Sequence, residues 1–500
     1  MSAGSSFAGS ATWKLSPATG DWNTATNWIP QTIPNGTTDT ATFADSNQTG
    51  VSISADTSVD GILFNAGASA FTIAAGPSFT LAITGAGITN DSGIDQNFVT
   101  TAADGRGNGA AIQFTGNATA GSGTSFTNNG SSRNRAVTRF EGNASAANAT
   151  FFTNNFLGEF IFTDNSSAAN GTFTTNSGRI EFRGNSAAGQ GAFTSRHNGF
   201  IVFRDASSAG DATVMLNSGT LAFLNFSTAA NAVLVSNGGE IEFLRGSAGG
   251  TARVEIFGSG SLSVFDHQPQ VTIGSLEGDG NVFLTDVKLE VGSNNLTTTF
   301  SGVIQDFRFP GSVVKIGTGK LTLAGTNLYS GGTIIRAGKL LVNNQNGSGT
   351  GTGAVHVDRG TLGGTGVIAG AVSVGTGSGL RAVLSPGMDR DSLFTLTIQS
   401  ALSFNADGSY HFGLNSGNGR ADKVVANGIS ISGAQFFFTD FGRSKLPIGT
   451  VFTLIKNTST TPIAGTFSNL PDGGTFTSNG NTYRVSYEGG DGNDLTLTVQ

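Results

Sequence analysis

The chain has 500 residues, a formal net charge of -7 and no cysteine, which excludes disulfides and thiolate chemistry. Charged residues are only 12%, against roughly 25% in an ordinary soluble domain, and no Lys/Arg run supplies the basic footprint of a nucleic-acid binder. The 75 Gly suit a low-complexity chain, but the 38 Phe supply the aromatic content that disordered segments lack. A single compact core rarely serves 500 residues, whereas a solenoid grows along one axis.

Residues 1–50 are read as an N-terminal cap region. The opening MSAGSSFAGSATW has neither a basic n-region nor an apolar h-region. The expectation is therefore a signal peptide outside this sequence, or another export signal. Trp13, Trp22 and Trp28 are expected to fill the cap over the first coil rather than to stand exposed for stacking on sugar rings.

Residues 51–392 are read as the parallel β-helix. Short strands are expected at 71–73 and 79–83. From 110 to 265 the sequence repeats, with GNATAGS at 116, GNASAAN at 142, DNSSAAN at 164, GNSAAGQ at 184, DASSAGD at 205, NFSTAAN at 225 and RGSAGGT at 245. Successive steps are 26, 22, 20, 21, 20 and 20 residues. Two residues before each piece stands an aromatic: Phe114, Phe140, Phe162, Phe182, Phe203, Phe223 and Phe243. These seven are the expected structural core ladder. A second apolar column is read at Phe126, Phe152, Phe173, Phe193, Val214, Leu234 and Val254, and a glycine turn at Gly158, Gly178, Gly199, Gly219 and Gly239.

A coil of about twenty residues is too short for two packed helices with turns, and local stretches such as 178–182 alternate apolar and polar as strands do. Short strands between Gly/Asn turns at fixed spacing predict an all-β fold, a right-handed parallel β-helix with capping regions. Coils stacking at about 4.8 Å put Phe on Phe inside and Asn on Asn at the turns, in a stiff rod about 100 Å long or more. The Ala-Ala and Ala-Gly pairs mark bends where only small side chains fit. The alternation continues at 320–323, 333–336, 339–342 and 354–357, within repeats spanning 313–387. Residues 393–500 carry longer strands, at 435–438 and 451–455, with a final one at 491–500, and read as a C-terminal β region and cap. No apolar run approaches the 18 or so residues of a transmembrane helix.

Four stretches carry a family resemblance. GTGKLTLAGTNLYSGGTIIRAGKLLVN (317–343) resembles the autotransporter-associated β-strand repeat of bacterial passenger domains, and 360–387 resembles the segment that follows it. GDWNTATNWIPQTIPNGTTDTATF (20–43) resembles the opening, and 467–499 the tail, of exported proteins of that kind. The resemblance implies an exported passenger-type β-helix, displayed or shed at a bacterial surface, where such passengers adhere or scaffold. Residues 393–500 are too short for a translocator barrel and lack its amphipathic strands. The barrel is thus expected outside this sequence, or another secretion route is used.

Parallel β-helices also host polysaccharide-active enzymes, which need carboxylates clustered at one register over adjacent coils. Arg179, Glu181, Glu240 and Glu242 flank the Phe column and Arg183, Arg204 and Asp205 lie beside it, but 220–226 offers no acid, so these are read as outward residues of a solvated strand face. His197, His267, His356 and His411 are far apart and match no metal-ligand spacing. Gly489–Asp494 has one copy of a calcium-type Gly/Asp pattern, with Thr496 where an apolar residue is needed, and is read as a turn. No catalytic residue, cofactor or metal is expected. The leading expectation is a non-enzymatic exported structural or adhesive surface protein. The alternatives are an extracellular fibre subunit that self-associates end to end and a polysaccharide-active enzyme. Expected partners are surface glycans or a host or biofilm matrix.

Overall fold

Side chains one period apart in sequence become vertical neighbours when strands pair in parallel and in register, and that pairing builds this molecule. In the computed structural model, residues 8–107, 109–267, 269–387 and 393–500 are described; the first seven residues of the expected cap and residues 388–392 of the expected β-helix lie outside them. The fold is all-β, a right-handed parallel β-helix. It comprises two compact units, Met1–Ala252 and Arg253–Gln500.

In the first unit, one parallel sheet runs from Ala11–Trp13 and Gly36–Phe43 through Ala110–Phe114 to Glu240–Phe243. A second runs from Gly50–Ile53 through Thr124–Asn129 to Val233–Ser236. Single-residue bridges linking Thr119, Ser145, Ser167, Ala187, Ser208, Thr228 and Ala248 make a third ladder.

Phe114, Phe140, Phe162, Phe182, Phe203, Phe223 and Phe243 are all 0% exposed. Each ring lies 4.6–5.0 Å from the next, within 12° of parallel. That spacing matches the separation of paired strands, so one hydrogen-bond register sets the whole pile. Burying each ring contributes about 2–3 kcal/mol, and each stacked pair about 0.5–1.5 kcal/mol more.

The second column differs from expectation at one place. Phe126 pairs with Phe151, not Phe152, and Phe151 continues to Phe173, Phe193, Val214 and Leu234. Counting 26 from Phe126 reaches Phe152, but the strands themselves are offset by 25. The remaining residue lies in the turn ahead of Thr124–Asn129, and a one-residue slip turns a strand side chain to the opposite face.

The first residue of each repeat piece is a left-handed turn. Gly116, Gly142, Asp164, Gly184, Asp205 and Asn225 have φ between 57° and 69°, a region that Gly, Asn and Asp enter most readily. In the alanine pair, Ala168 is buried while Ala169 makes the bend at φ 49°. Between coils, Asn154 Nδ2 donates to Asn129 Oδ1, Asn170 Nδ2 to Asn148 Oδ1 and Asn231 Nδ2 to Asp211 Oδ1, each at 3.0 Å.

Trp13, Trp22 and Trp28 are buried rather than available to sugars, and their rings meet edge-on at 5.0 and 5.1 Å. Trp28 donates Nε1–H to the Trp22 carbonyl at 2.8 Å. Trp28–Ile29 runs antiparallel to Ala11–Trp13 at this edge.

In the second unit, Lys320–Leu323 stacks on Lys339–Val342 and Ser312–Lys315 on Thr333–Ile335, again in parallel. Tyr329 is fully buried between them, its hydroxyl 2.6 Å from Thr333 Oγ1, and burial pushes its pKa up. Near the C-terminus the pairing changes sense. Val451–Asn457, Asp494–Val499, Asn481–Gly489 and Thr475–Ser478 are antiparallel. The final strand starts at Asp494 rather than 491, because 490–493 form the turn.

Candidate functional site

Alternation along each strand means that Phe160 and Phe162 point inward while Glu159 and Ile161 point outward. The register then brings Glu159 beside Arg179 and Ile161 beside Glu181 on the outer face. Glu181 departs from the solvated face expected for it, being 2% exposed. Three guanidinium groups cover its carboxylate. Arg183 Nη2 donates to Oε2 at 2.8 Å, while Arg179 Nε and Arg204 Nε lie 3.1 and 2.7 Å from the two oxygens without hydrogen-bond alignment. Burial acts to raise the Glu181 pKa, but the Arg183 hydrogen bond and the three positive charges outweigh it and hold the carboxyl below the ordinary range. At Glu159 the balance is reversed: burial pushes its pKa up although Arg135 Nη1 is only 3.2 Å away. Burial and the neighbouring Glu240 likewise raise Glu242.

The uneven coil lengths locate an opening beside this cluster. Asn154 aligns with Asn176 and Glu159 with Arg179, which puts Gly158 level with Gly178, so three residues, 155–157, fill a turn that Ser177 alone fills one coil later. The extra length carries Phe156 and Leu157. The preceding coil has an even longer turn, 130–135, braced by Asp104, whose Oδ1 accepts from Ser132 N at 3.1 Å and Oγ at 2.8 Å. Together these turns frame a cavity of about 230 Å³ lined by Arg135, Phe156, Leu157, Glu159, Arg179 and Phe200. Phe156 is 68% exposed. Arg135 reaches Glu159 with one nitrogen, Nη1, and Arg179 approaches Glu181 through Nε, while both side chains line the cavity wall.

Sequence reasoning singled out Arg179, Glu181, Arg183 and Arg204, and the structure brings these together. It missed Arg135, Phe156 and Glu159. The available signal was the steps of 26 and 22 residues, which mark where turns lengthen.

The other candidates remain separate. His197 occupies a left-handed turn at φ 50°, and its carbonyl accepts from Ser177 Oγ. His356 Nδ1 lies 2.8 Å from Ser373 Oγ, and the ring of His411 is 4.7 Å from that of Phe437. In the Gly/Asp tail, Asp494 is buried and its Oδ1 accepts from Asn457 N at 2.9 Å. Among the described residues no group of three or more His, Cys, Asp or Glu gathers at metal-binding range. Among them, too, no helix is long and apolar enough to cross a membrane, which says nothing of a β-barrel.

Residues 313–342 match the family model of the passenger-associated-transport-repeat. A stretch of 101 residues is 39% identical to the adhesin BmaC autotransporter of Brucella suis, covering 19% of this chain and 3% of that protein. The Hap adhesin of Haemophilus influenzae is a structural neighbour at TM-score 0.25 and 9% identity, covering 94% of this chain and 65% of the Hap chain. The chain is thus a parallel β-helix that carries, at 313–342, the repeat associated with passenger transport, stacked on itself in parallel register.

Proposed function

We propose that this chain works as a non-enzymatic structural and adhesive protein at a bacterial cell surface. One observation carries the reading: the passenger-associated repeat at 313–342 forms consecutive rungs of a parallel coil. The word adhesin in the name of the Brucella suis protein supports it. So does the exterior chemistry, since Asn, Ser and Thr recur at equivalent turn positions and offer many weak polar contacts along one direction. The antiparallel strands of 451–499 act as a C-terminal cap, which favours adhesion over end-to-end fibre growth because they blunt a stackable edge. The Glu181 carboxylate lies against three arginines that hold it ionised, an arrangement suited to binding rather than to proton transfer.

The test immobilises the purified chain on beads and measures retention on polysaccharide-coated and host-matrix-coated surfaces. Parallel incubations with acidic and neutral glycans are assayed for new reducing ends and unsaturated products. Retention without turnover is expected. Turnover that disappears in Glu159→Gln would overturn the non-enzymatic assignment.

A further inference from the structure

The lengthened turns at 130–135 and 155–157 interrupt an otherwise regular exterior, and they do so where arginines concentrate. Arg135, Arg179, Arg183 and Arg204 face two buried carboxylates, Glu159 and Glu181, and Asp205 also acts on Arg183, so positive charge still exceeds negative in the cluster although the chain's net charge is -7. The carboxylates are buried and fixed on strands, so they hold the guanidinium groups in place before any ligand arrives. Beside them stand two partly exposed aromatic rings, Phe156 on the inserted turn and Phe200 on the outer face of Phe200–Phe203.

We infer that the cavity between Arg135, Arg179, Phe156 and Phe200 binds a carboxylated sugar unit of an acidic polysaccharide. A planar guanidinium fork matches a carboxylate with two parallel hydrogen bonds. The C–H face of a sugar ring packs on the negative face of a phenyl ring, and its hydroxyls meet the polar surroundings. A uronate unit combines the three features this site addresses: a planar anion, an apolar face and a hydroxyl edge. A nucleic acid is disfavoured because the cavity wall carries only Arg135 and Arg179, a local pair rather than the track of cations that successive phosphates need. This site rests on the adhesive reading above and gives it a ligand class.

The experiment measures binding of polyuronate oligomers to the full chain by calorimetry, with the methyl-esterified oligomers, neutral dextran and duplex DNA as comparison probes. Polyuronate binding is expected, weakening at least tenfold in both Phe156→Ala and Arg135→Ala and falling with added salt. The exposed position of Phe156 makes its variant a safe reporter of binding rather than of folding, and circular dichroism checks both variants. Equal binding of the esterified oligomer or of DNA, no binding of polyuronate, or unchanged affinity in both variants overturns the site. Bead retention distinguishes the two readings: retention without polyuronate binding removes this site and leaves the adhesive role standing.

Discussion

The ring of Phe151 lies 4.3 Å from that of Phe173 and only 4° from parallel, one rung apart, while its chain neighbour Phe152 points away from the core. Two adjacent phenylalanines thus have opposite roles. Phe151→Ala should cost about 3–5 kcal/mol, the range for emptying a buried aromatic site. Phe152 is 37% exposed, and its replacement should cost no more than about 1 kcal/mol. Denaturant unfolding of the full chain compares them; a larger loss at 152 would contradict the register.

The three-arginine cover over Glu181 predicts unequal losses. Glu181→Gln removes the negative charge and one acceptor oxygen from the centre of three guanidinium groups and turns an amide N–H₂ toward them, at a cost of about 1–3 kcal/mol. Removing any one arginine leaves two, and these half-exposed side chains should each matter by about 1 kcal/mol or less. Because the folded-state pKa is lowered, the stabilisation is complete above the ordinary glutamate range and is lost as pH falls through the folded value. Acid unfolding curves of the parent and Glu181→Gln should therefore converge at low pH.

Lys315 belongs to the matched repeat and is 1% exposed, with its ammonium donating only to the carbonyls of Ile316 and Gly317. Burial pushes its pKa down from 10.5 to about 8. The unfolded chain then binds more protons than the folded one between these values, so stability rises with pH across that window. The increment approaches about 3 kcal/mol at 1.4 kcal/mol per unit. Lys315→Met should lack it, so the stability difference between parent and variant should change between pH 7.5 and 10.5. A pH-independent difference would refute the burial argument.

Gly219 has φ 88°, and an added Cβ would meet the carbonyl oxygen of Gly199 one coil away. Gly219→Ala combines backbone strain with that clash and should destabilise by about 1–3 kcal/mol or more. Asn225, also left-handed at φ 60° but a half-buried turn residue, should tolerate Asn225→Gly with little change. Thermal unfolding of the two variants tests the contrast.

What the sequence determined by itself is the period. Phe162, Phe182, Phe203 and Phe223 recur because each coil must return its chain to the same point above the last, and the left-handed turns at Asp164, Asp205 and Asn225 recur with them. Periodicity survives in one dimension, so it is legible there. The repeat at 313–342 was legible for the same reason. Only the tertiary structure decided which of Phe151 and Phe152 faces inward, because the extra residues of a long coil are divided among its turns and a single one reverses a strand's faces. Only it decided that Glu181 is buried, since its cover comes from arginines on its own and the neighbouring coil. The cavity beside Phe156 belongs to the same class: it arises where the repeat breaks, and a break in a pattern carries no side-chain direction until the coils on either side are in place.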